Sequence, residues 1–595
     1  MCGLAALAVP HDAALLERLS DALAHRGPDE AGVHRDGDVA LVARRLSILD
    51  VEGGHQPMAN DDGSVVIAFN GEIFNAPALR AELERDGVRF ATDHSDTEVV
   101  LRLYERGGEF LPRLNGMFAF VIHDRRRNVL FGARDRFGIK PLYFARPGGR
   151  FAAASELRTL LLVPGAERVL DPIALWHYVS LRFVPGGSIW QGIEQLPPAH
   201  AFRYDLVARS LKAWRWWELE FAPVEEVVSP GLLQETLRRA VSRWTLSDVP
   251  VAVSLSSGLD SSAVTALLAE AGQHVRTYTL GFTSPEDESL DELPLARALA
   301  ERYGTEHHEL VVDPDELLDD LLQMVWALDV PYGGGLPSWY VFRFIARDVK
   351  VALTGTGGDE LFGNYRRFVP FETGRLARFR RSFAKYYFEP SYYFTDEQKR
   401  ELGLDGPPTS EWLENVFGRS GSDSARDSVL YLDMSTQLPD EFLHMTDRFS
   451  MRFSLEARTP FLDHELVELV ARVPPDVRTS AEDPKRLLRA AVGDLLPHAA
   501  PKRGFVFPLA RWLRGPLVPL VDRLLAPDRL REQGLFREDY DYRALDADRL
   551  WPLVMFQLWH LLYVEEALSD APTFSWRDVA GSADLPNFQK STLRS

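Results

Sequence analysis

Residues 249–271 read VPVAVSLSSGLDSSAVTALLAEA, and this stretch sets the architecture of the second half of the chain. The apolar run 249–255 predicts a strand, 261–271 predicts a helix, and small polar residues join the two. A loop at a helix N-terminus offers backbone N–H groups and the positive end of the helix dipole to a phosphate group. It is not a Walker A loop, because no Gly-Lys-Ser or Gly-Lys-Thr ends it. The stretch therefore predicts a phosphate-binding unit, and an ordinary strand–helix turn with a capping serine is the alternative.

Strands and helices alternate on both sides of this unit. A helix at 231–244 precedes it, and the segments that follow are strand 275–281, helix 294–303, strand 307–312, a long helix 314–328, helix 338–347 and strand 349–354. Such alternation is typical of a parallel, doubly wound sheet, so the second domain is predicted to be α/β. After about residue 375 the pattern becomes mostly helical, which predicts a helical extension.

A second strand–loop–helix repeats the first, with Thr354-Gly355-Thr356-Gly357-Gly358-Asp359-Glu360 after the strand at 349–354. Because the carboxyl ends of parallel strands meet at one edge of a sheet, both loops should face the same ligand. Asp260 and Asp359 are then candidates to hold Mg²⁺ on a pyrophosphate group. Taken singly, each aspartate is more simply a helix cap, and the metal hypothesis rests on the pairing of the two loops.

The first half of the chain has a different pattern, in which short apolar runs are separated by Gly, Asn and Asp up to about residue 205. The predicted strands are 39–43, 65–69, 117–123, 128–133 and 142–145, and the predicted helices are 13–24 and 76–86. This is a strand-dominated α+β pattern. The aromatic stretch 214–218 and the proline-containing segment after it mark the boundary between two domains.

The single cysteine, Cys2, directly follows the initiator methionine. If Met1 is removed, the thiol and the free α-amine lie on one residue. An α-amine that titrates near neutral pH can activate a thiol without help from a histidine. The sequence thus predicts an N-terminal nucleophile, and the alternative is a cysteine without function near a frayed terminus.

Four further segments of the first half are candidates for a site. They are His25-Arg26-Gly27-Pro28-Asp29, Arg45-Leu46-Ser47-Ile48-Leu49-Asp50, Asn70-Gly71-Glu72-Ile73-Phe74-Asn75 and Ser95-Asp96-Thr97-Glu98. Alone, each has a structural explanation as a turn, a surface arginine or a helix cap. Their order behind an N-terminal cysteine is what makes them informative.

Together these segments resemble the class II glutamine amidotransferase domain, over residues 2 to about 200. The resemblance implies a four-layered αββα N-terminal-nucleophile fold and hydrolysis of glutamine to glutamate and ammonia. It implies that Cys2 attacks the side-chain amide and that the Asn70 side chain and the Gly71 N–H form an oxyanion hole. A zwitterionic amino acid needs one fixed cation and one fixed anion. The implied glutamine-binding residues are Arg45 for the α-carboxylate, Glu72 and Asp96 for the amino group, and Leu49 and Asn70.

The loop at 256–262 resembles the PP-loop of the N-type ATP pyrophosphatases, Ser-Gly-Gly-x-Asp-Ser, with Ser257 in place of the first glycine. With the segments 454–463 and 485–489, the second half resembles the synthetase domain of glutamine-hydrolysing asparagine synthetase over about residues 226–520. The resemblance implies that ATP activates a carboxylate as an acyl-adenylate, that pyrophosphate leaves, and that ammonia arrives from Cys2 through an internal tunnel. Mg²⁺ is the implied metal at Asp260 and Asp359, and Lys485 is implied to act near the adenylating carboxylate. The implied nucleotide-binding residues are Leu255, Ser256, Ser257, Gly258, Asp260, Ser261, Leu280, Thr354 and Gly355.

Two positions depart from that family. Thr356 stands where the family usually has an acidic residue, and Val330 and the glycines 333–335 stand in a segment that is usually acidic and polar. An α-ammonium group on the acceptor needs a counter-charge, so Thr356 and Val330 are predicted to determine acceptor specificity. The β-lactam synthetases, relatives that close a ring onto an internal amine, also replace this acidic residue, but they usually lack the cysteine. Aspartate is the default acceptor, and another small carboxylic acid in a specialised biosynthetic pathway is the alternative.

Composition limits the partners and the compartment. The net charge of −20 and the pI near 5.3 argue against nucleic acid or an acidic membrane surface as a general partner. One cysteine excludes an intramolecular disulfide, and the sequence shows no signal peptide, membrane-spanning run or zinc-binding spacing. We therefore expect a cytoplasmic protein.

The sequence thus predicts a two-domain, glutamine-dependent, ATP-driven amide synthetase. The predicted domains are an amidotransferase at 1–210 and an ATP pyrophosphatase at 226–570, followed by a polar tail at 571–595 with a composition compatible with disorder. A degenerate homologue that acts as a regulator or scaffold is one alternative, and a glutaminase with an inactive synthetase half is another. The oligomeric state stays open, with a homodimer as one option.

Overall fold

Three sheets organise the part of the chain that the computed structural model describes, which is residues 2–221, 228–283, 292–365, 392–480, 482–496 and 508–581. Two antiparallel sheets of six strands each form the N-terminal half. One parallel sheet of five strands forms the core of the C-terminal half. The predicted α+β and α/β domains are therefore both confirmed.

The first sheet is built around β1 (Cys2–Ala8), the strand that begins with the single cysteine. Every residue of β1 is buried. The strand is covered on both faces, so its sequence shows no alternation of polar and apolar residues, and the sequence pattern did not reveal it. In spatial order the strands are β10 (Ile193–Gln195), β8 (Tyr143–Ala145), β9 (Phe151–Ala154), β1, β3 (Val39–Arg45) and β2 (Glu30–Asp36).

The second sheet packs face to face against the first, and small and aromatic side chains such as Ala6, Ala68 and Phe151 fill the space between them. In spatial order its strands are β12 (Ser210–Arg215), β11 (His200–Asp205), β7 (Val129–Arg134), β6 (Gly116–Asp124), β5 (Val65–Ile73) and β4 (Met58–Ala59). Helices cover both outer faces, which completes the αββα layers. They are α1 (Ala13–Ala22), α4 (Leu157–Leu160) and α5 (Pro172–Leu181) beside the first sheet, and α2 (Ala76–Arg85) and α3 (Asp96–Arg106) beside the second.

The parallel sheet is doubly wound, with the spatial order β15 (Glu306–Val312), β14 (Arg276–Phe282), β13 (Val251–Ser254), β16 (Val351–Leu353) and β17 (Glu456–Arg458). The strand order reverses between β13 and β16, which is the position where such sheets bind ligands. Both predicted phosphate loops leave the sheet there. The helices around it are α6 (Pro230–Arg243), α7 (Leu259–Glu270), α8 (Leu293–Tyr303), α9 (Leu321–Leu328), α10 (Ser338–Ile345) and α11 (Gly358–Phe362).

The helical extension is also present. Its described helices are α12 (Asp396–Glu401), α13 (Thr409–Phe417), α14 (Ala425–Ser435), α15 (His444–Arg452), α16 (His464–Ala471), α17 (Pro475–Arg478), α18 (Arg486–Val492), α19 (Leu509–Arg514), α20 (Val518–Leu524), α21 (Pro527–Gln533), α22 (Ala547–His560) and α23 (Trp576–Gly581). Among the described residues, no helix combines the length and the apolar character that crossing a bilayer requires.

Two segment predictions differ from the structure. The long helix expected at 314–328 is a 3₁₀ turn at Pro314–Leu318 followed by α9. The Tyr340 hydroxyl donates to the carbonyl oxygen of Glu316, a group that a continuous α-helix would use for its own ladder. The expected polar tail at 571–595 begins with α23, in which Trp576 and Val579 are buried, and residues 582–595 lie outside the described part.

The two halves of the chain meet in a contact that combines apolar packing with buried charge. Leu46 and Ile48 of the N-terminal half pack against Val351 of the parallel sheet. Nearby, both terminal nitrogens of Arg26 donate to the Asp447 carboxylate on α15, at 2.8 and 3.0 Å. Both partners are buried. Arg26 also bonds to the buried carboxylate of Glu156 at 3.1 Å, so this contact between the two halves is a buried network of charges rather than an isolated pair.

Candidate active sites

The first candidate site surrounds Cys2 at the start of β1. Its backbone N–H donates to Oδ1 of Asn70 at 3.0 Å, and Nε2 of Gln56 lies 3.7 Å from its sulfur atom. The thiol is almost completely buried, and burial raises its pKa above the ordinary value. The sulfur therefore needs a nearby base if it is to act as a nucleophile near neutral pH.

Asn70 places an unused donor beside the cysteine. Its Nδ2 is buried and has no hydrogen-bond partner among the described residues. The next residue, Gly71, has a φ of 155°, and a Cβ there would lie 2.1 Å from the carbonyl oxygen of Met117. Only glycine fits this approach of β5 to β6. A buried unsatisfied amide is costly unless a ligand uses it, so this donor points to an oxygen of a bound substrate.

Arg45 lies opposite Cys2 in the pairing of β3 with β1. Its guanidinium donates to the carbonyl oxygens of Leu49 at 3.1 Å, Asp50 at 2.6 Å and Val51 at 2.9 Å. Arg45 therefore holds the loop at 49–51, and Leu49 contributes to this site through its backbone. The pairing of β3 with β1 thus gives the site one fixed, buried cation, the guanidinium of Arg45.

Glu72 and Asp96 supply negative charge on the other side. Burial raises the pKa of the Asp96 carboxyl to about 6, although its Oδ2 accepts the backbone N–H of Ile73 at 2.9 Å. Burial also raises the pKa of Glu72, and the carboxylates of Asp96 and Glu456 raise it further. Oε2 of Glu72 is buried and unpaired within the described residues. Two neighbouring carboxyl groups, one of them with an unpaired oxygen, are suited to bind an ammonium group.

The second candidate site is a cleft of about 360 Å³ at the carboxyl ends of the parallel strands. Most residues predicted for nucleotide binding meet there. They are Leu255, Ser256, Gly258, Asp260, Ser261, Leu280, Thr354 and Gly355, joined by Thr356 and Asp359. Ser257 is the exception, because its side chain is buried and does not line the cleft.

The first phosphate loop is ordered by its own serines. The Ser261 hydroxyl accepts the backbone N–H of Ser256 at 3.0 Å, and the Ser256 hydroxyl accepts the N–H of Gly258 at 3.2 Å. The two loops also touch, because a Cβ on Gly358 would lie 2.7 Å from Oδ1 of Asp260. The glycine of the second loop thus allows Asp260 and Asp359 to approach each other.

Lys485 joins the two aspartates. Its ammonium group bonds to the carboxylate of Asp260 and lies 2.6 Å from Oδ1 of Asp359. Burial lowers the pKa of Lys485, but the two carboxylates outweigh this effect, so the pKa is raised above its ordinary value. The lysine is therefore a permanent cation at the edge of the cleft. Asn364 donates to the same Oδ1 of Asp359 at 2.9 Å and fixes that carboxylate.

Of the two residues predicted to determine acceptor specificity, only Thr356 lies at the cleft. Thr356 lines the cleft, and its N–H and hydroxyl both contact the hydroxyl of Thr354. Val330 does not line the cleft, because its side chain is 3% exposed and lies in the hydrophobic core. The neighbouring Asp329 turns towards the N-terminal half, where its carboxylate accepts the backbone N–H of Leu157 at 2.8 Å. Val330 therefore cannot contact a ligand in the cleft directly.

Several residues near the two sites carried no signal in the sequence. Gln56 is one, because a lone glutamine in a loop forms no motif. The opposite wall of the second cleft is another case, and it is formed by Ser338, Val341, Phe342, Phe442, Met445 and Thr446. Their spacing is that of ordinary core helices.

Comparison with known proteins agrees with both sites. The asparagine synthase family matches residues 232–561, and a glutamine amidotransferase domain matches residues 1–217. "Asparagine synthetase [glutamine-hydrolyzing] 1" of Bacillus subtilis is 30% identical over 96% of this chain and 99% of its own length. "Asparagine synthetase [glutamine-hydrolyzing] 3" of the same organism is 33% identical over 81% of this chain and 82% of its own. "Amidase chry2" of Gibberella zeae is 28% identical over 89% of this chain and 90% of its own. The chain therefore belongs to the asparagine synthase family and carries a glutamine amidotransferase domain in its N-terminal half.

Proposed function

We propose that this protein is a glutamine-dependent, ATP-driven amide synthetase. One observation carries the proposal: a single chain holds a buried cysteine beside an unused amide donor and, separately, a lysine between two aspartates at a cleft. The first arrangement suits hydrolysis of an amide. The second suits binding of a polyphosphate and stabilisation of negative charge. Membership in the asparagine synthase family supports the combination.

The first half-reaction takes place at Cys2. Once Met1 is removed, the α-amine accepts the thiol proton, and the sulfur attacks the side-chain carbonyl of glutamine. Nδ2 of Asn70 and the N–H of Gly71 stabilise the oxyanion that forms. Ammonia leaves, a thioester remains on Cys2, and water hydrolyses it to glutamate. Arg45 reads the α-carboxylate of glutamine, and Glu72 and Asp96 read its α-ammonium.

The second half-reaction takes place in the cleft. The loop at 256–261 binds the phosphates of ATP, and a carboxylate oxygen of the acceptor attacks the α-phosphorus, which releases pyrophosphate. Ammonia then displaces AMP from the acyl-adenylate and forms the amide. Lys485 offsets the negative charge that develops during the adenylyl transfer.

Asp260 and Asp359 fit the role of magnesium ligands. Mg²⁺ prefers oxygen donors and is commonly held by one or two carboxylates together with substrate phosphates. The ion would neutralise charge on the pyrophosphate when bound.

The acceptor is a small carboxylic acid, with aspartate as the first candidate and a less polar acid as the second. Thr356 supports the less polar acceptor, because it places a neutral side chain in the cleft at a position where the family usually has an acidic residue. A buried ammonium without a partner is costly, so a neutral wall disfavours a zwitterionic acceptor.

Pyrophosphate release tests the proposal and identifies the acceptor. With ATP, Mg²⁺ and glutamine, we expect release to depend on the acid, with weak turnover of aspartate and faster turnover of a less polar acid. Thr356→Glu should shift the preference towards aspartate, and Thr356→Gln, which adds the same bulk without charge, should not. Strong asparagine formation by the unmodified enzyme, with no gain from any other acid, would show that the neutral wall does not select the acceptor. Formation of ADP and phosphate would contradict adenylation.

The glutaminase reaction should depend on pH through Asp96. The pKa of this carboxyl is raised to about 6, so the anion that binds the α-ammonium is present above pH 6 and is lost as the pH falls through that value. We expect the KM for glutamine to rise by about tenfold per unit below pH 6 as Asp96 takes up a proton, in addition to the contribution of Glu72, whose pKa is also raised. Asp96→Asn should give a high KM that no longer rises in this way. A constant KM from pH 5 to 8 in the unmodified enzyme would contradict the assignment of Asp96.

A further inference from the structure

One residue of the C-terminal half contacts two segments of the candidate glutamine pocket. Asp248 precedes β13, the strand that leads to the first phosphate loop. Its backbone N–H donates to the carbonyl oxygen of Ile48 at 3.0 Å. Its Oδ2 accepts the backbone N–H of Asp50 at 2.7 Å and lies 2.7 Å from Nε2 of His94.

The hydrogen bond from Asp50 to Asp248 helps to fix the backbone that holds Arg45. Asp50 has a φ of 48°, in the left-handed region that non-glycine residues rarely occupy, and it is buried. Its carbonyl oxygen accepts from Arg45 at 2.6 Å, and its carboxylate accepts the N–H of Gly53 at 3.0 Å. Such a backbone conformation persists only where the surroundings fix it. Asp248 supplies one of the bonds that fix it, and without that bond the N–H of Asp50 would lose its acceptor.

The contact between Asp248 and His94 lies close to Asp96 in the chain. His94 lies two residues before Asp96, at the start of α3, and its backbone N–H donates to Oδ2 of Asp50 at 3.2 Å. The carboxylate of Asp248 therefore reaches both sides of the pocket. One side carries the cation proposed for the glutamine carboxylate, and the other carries an anion proposed for its ammonium group.

The surroundings of Asp248 make this contact part of the docking between the two halves. Leu46 and Ile48 pack against Val351, with Val249 beside them. Lys350 bonds to Oδ2 of Asp29 at 2.7 Å, and the same oxygen accepts the N–H of Ser47 at 2.8 Å. Residues of the synthetase half, at and beside the parallel sheet, thus support the segment that leads into the loop at 49–51, which Arg45 holds.

We propose that Asp248 is a positioning residue for glutamine, so that the glutamine pocket of the amidotransferase domain is complete only when the synthetase domain is docked against it. The inference rests on the proposed function. A carboxylate suits the position because it only accepts hydrogen bonds and can accept several at once. The pair with His94 is half exposed and contributes little by itself, since exposed ion pairs are weak. The main effect passes through the charge-assisted bond to the N–H of Asp50.

Kinetics of the two half-reactions test this role in the full-length enzyme. Asp248→Ala should raise the KM for glutamine by about tenfold, because a charge-assisted hydrogen bond to a buried group is lost. The kcat of glutamine hydrolysis and the rate of pyrophosphate release with ammonium salts should each stay within about twofold of the unmodified enzyme. Asp248→Asn keeps an acceptor for the N–H of Asp50 and should restore most of the affinity. His94→Ala removes only the exposed pair and should raise the KM by less than Asp248→Ala does.

Glu306 provides a matched control. Its carboxylate is 39% exposed, compared with 36% for Asp248, and it also bonds to a histidine, His274 at 3.0 Å. Glu306 lies on β15, at the far edge of the parallel sheet, so Glu306→Ala should leave the KM for glutamine unchanged.

The results separate this inference from the proposed function. An unchanged KM in Asp248→Ala would overturn the role of Asp248 and leave the proposed function intact. An equal loss of both half-reactions in Asp248→Ala and Asp248→Asn would also overturn it, because it would show a general structural role. Absence of glutamine hydrolysis in the unmodified enzyme would overturn the proposed function itself, and the inference with it.

Discussion

Cys2→Ala is expected to abolish glutamine hydrolysis and to leave amide synthesis from ammonium salts intact. The thiol is the only cysteine sulfur in the chain, and the backbone N–H of the same residue donates to the Asn70 side chain at 3.0 Å. Loss of a nucleophile that forms a covalent intermediate costs at least about 1000-fold. Glutamate formation measures the first activity, and pyrophosphate release with ammonium chloride measures the second.

The substitution should leave the fold unchanged. Cys2 is the first residue of β1, and alanine has a smaller side chain than cysteine, so a methyl group fits in its place. Ammonium-driven synthesis at the unmodified rate is therefore the control for folding. Retained Met1, or an N-terminal tag, should have the same effect as the substitution, because it removes the free α-amine that acts as the base. Loss of both activities in a folded Cys2→Ala enzyme would contradict the separation of the two sites.

The sequence predicted the parts of the molecule where local chemistry and local structure coincide. A strand that leads into a small polar loop and a helix can be identified from a short segment, and both phosphate loops were found in this way. Cys2 could be selected as a candidate nucleophile because the role proposed for it depends on its position at the terminus. The αββα fold followed from the resemblance to the amidotransferase domain, since β1 has no alternating pattern and most of the shorter strands carry no periodicity of their own.

The remaining parts depend on contacts between residues that are distant in the sequence. Gln56 reaches the sulfur of Cys2 because a loop returns to it, and no spacing rule describes that return. Val330 was predicted to lie near the acceptor because it departs from the residues usual in the family, but its side chain points into the core while Thr356 lines the cleft. The direction of a side chain in an irregular segment is set by packing, and the sequence alone does not determine it.

The segment that contains Arg26 also makes contacts with distant residues that the sequence did not predict. The segment was predicted to belong to the amidotransferase site, and the structure places Arg26 between that candidate site and the second one. Nε of Arg26 donates to the carbonyl oxygen of Cys2 at 3.3 Å, and its terminal nitrogens bind Asp447 on α15. The same helix carries Met445 and Thr446, which line the cleft. One buried arginine thus ties the strand of the nucleophile to the wall of the second site.

Lys485→Met is expected to reduce pyrophosphate release by about 100- to 1000-fold with every acceptor acid, because it removes a fixed cation from a site where negative charge develops. Methionine keeps most of the length of the side chain and removes only the charge. Asp260→Asn and Asp359→Asn should each reduce the same rate severely, since each removes an anionic ligand for Mg²⁺. Glutaminase activity, which depends on the other half of the chain, should stay within about threefold in all three variants.

Lys399 offers a matched control for this experiment. It is also a fully buried lysine of the C-terminal half, and it pairs with Asp396 at 2.8 Å, but it lies against Trp176 rather than at the cleft. Lys399→Met removes a buried cation with the same change in shape, so any effect on folding should appear in both variants, while only Lys485→Met should stop adenylation. A loss confined to one acceptor acid would contradict the role of Lys485, because a group that stabilises the adenylyl transfer cannot distinguish between acids that share the same reacting carboxylate.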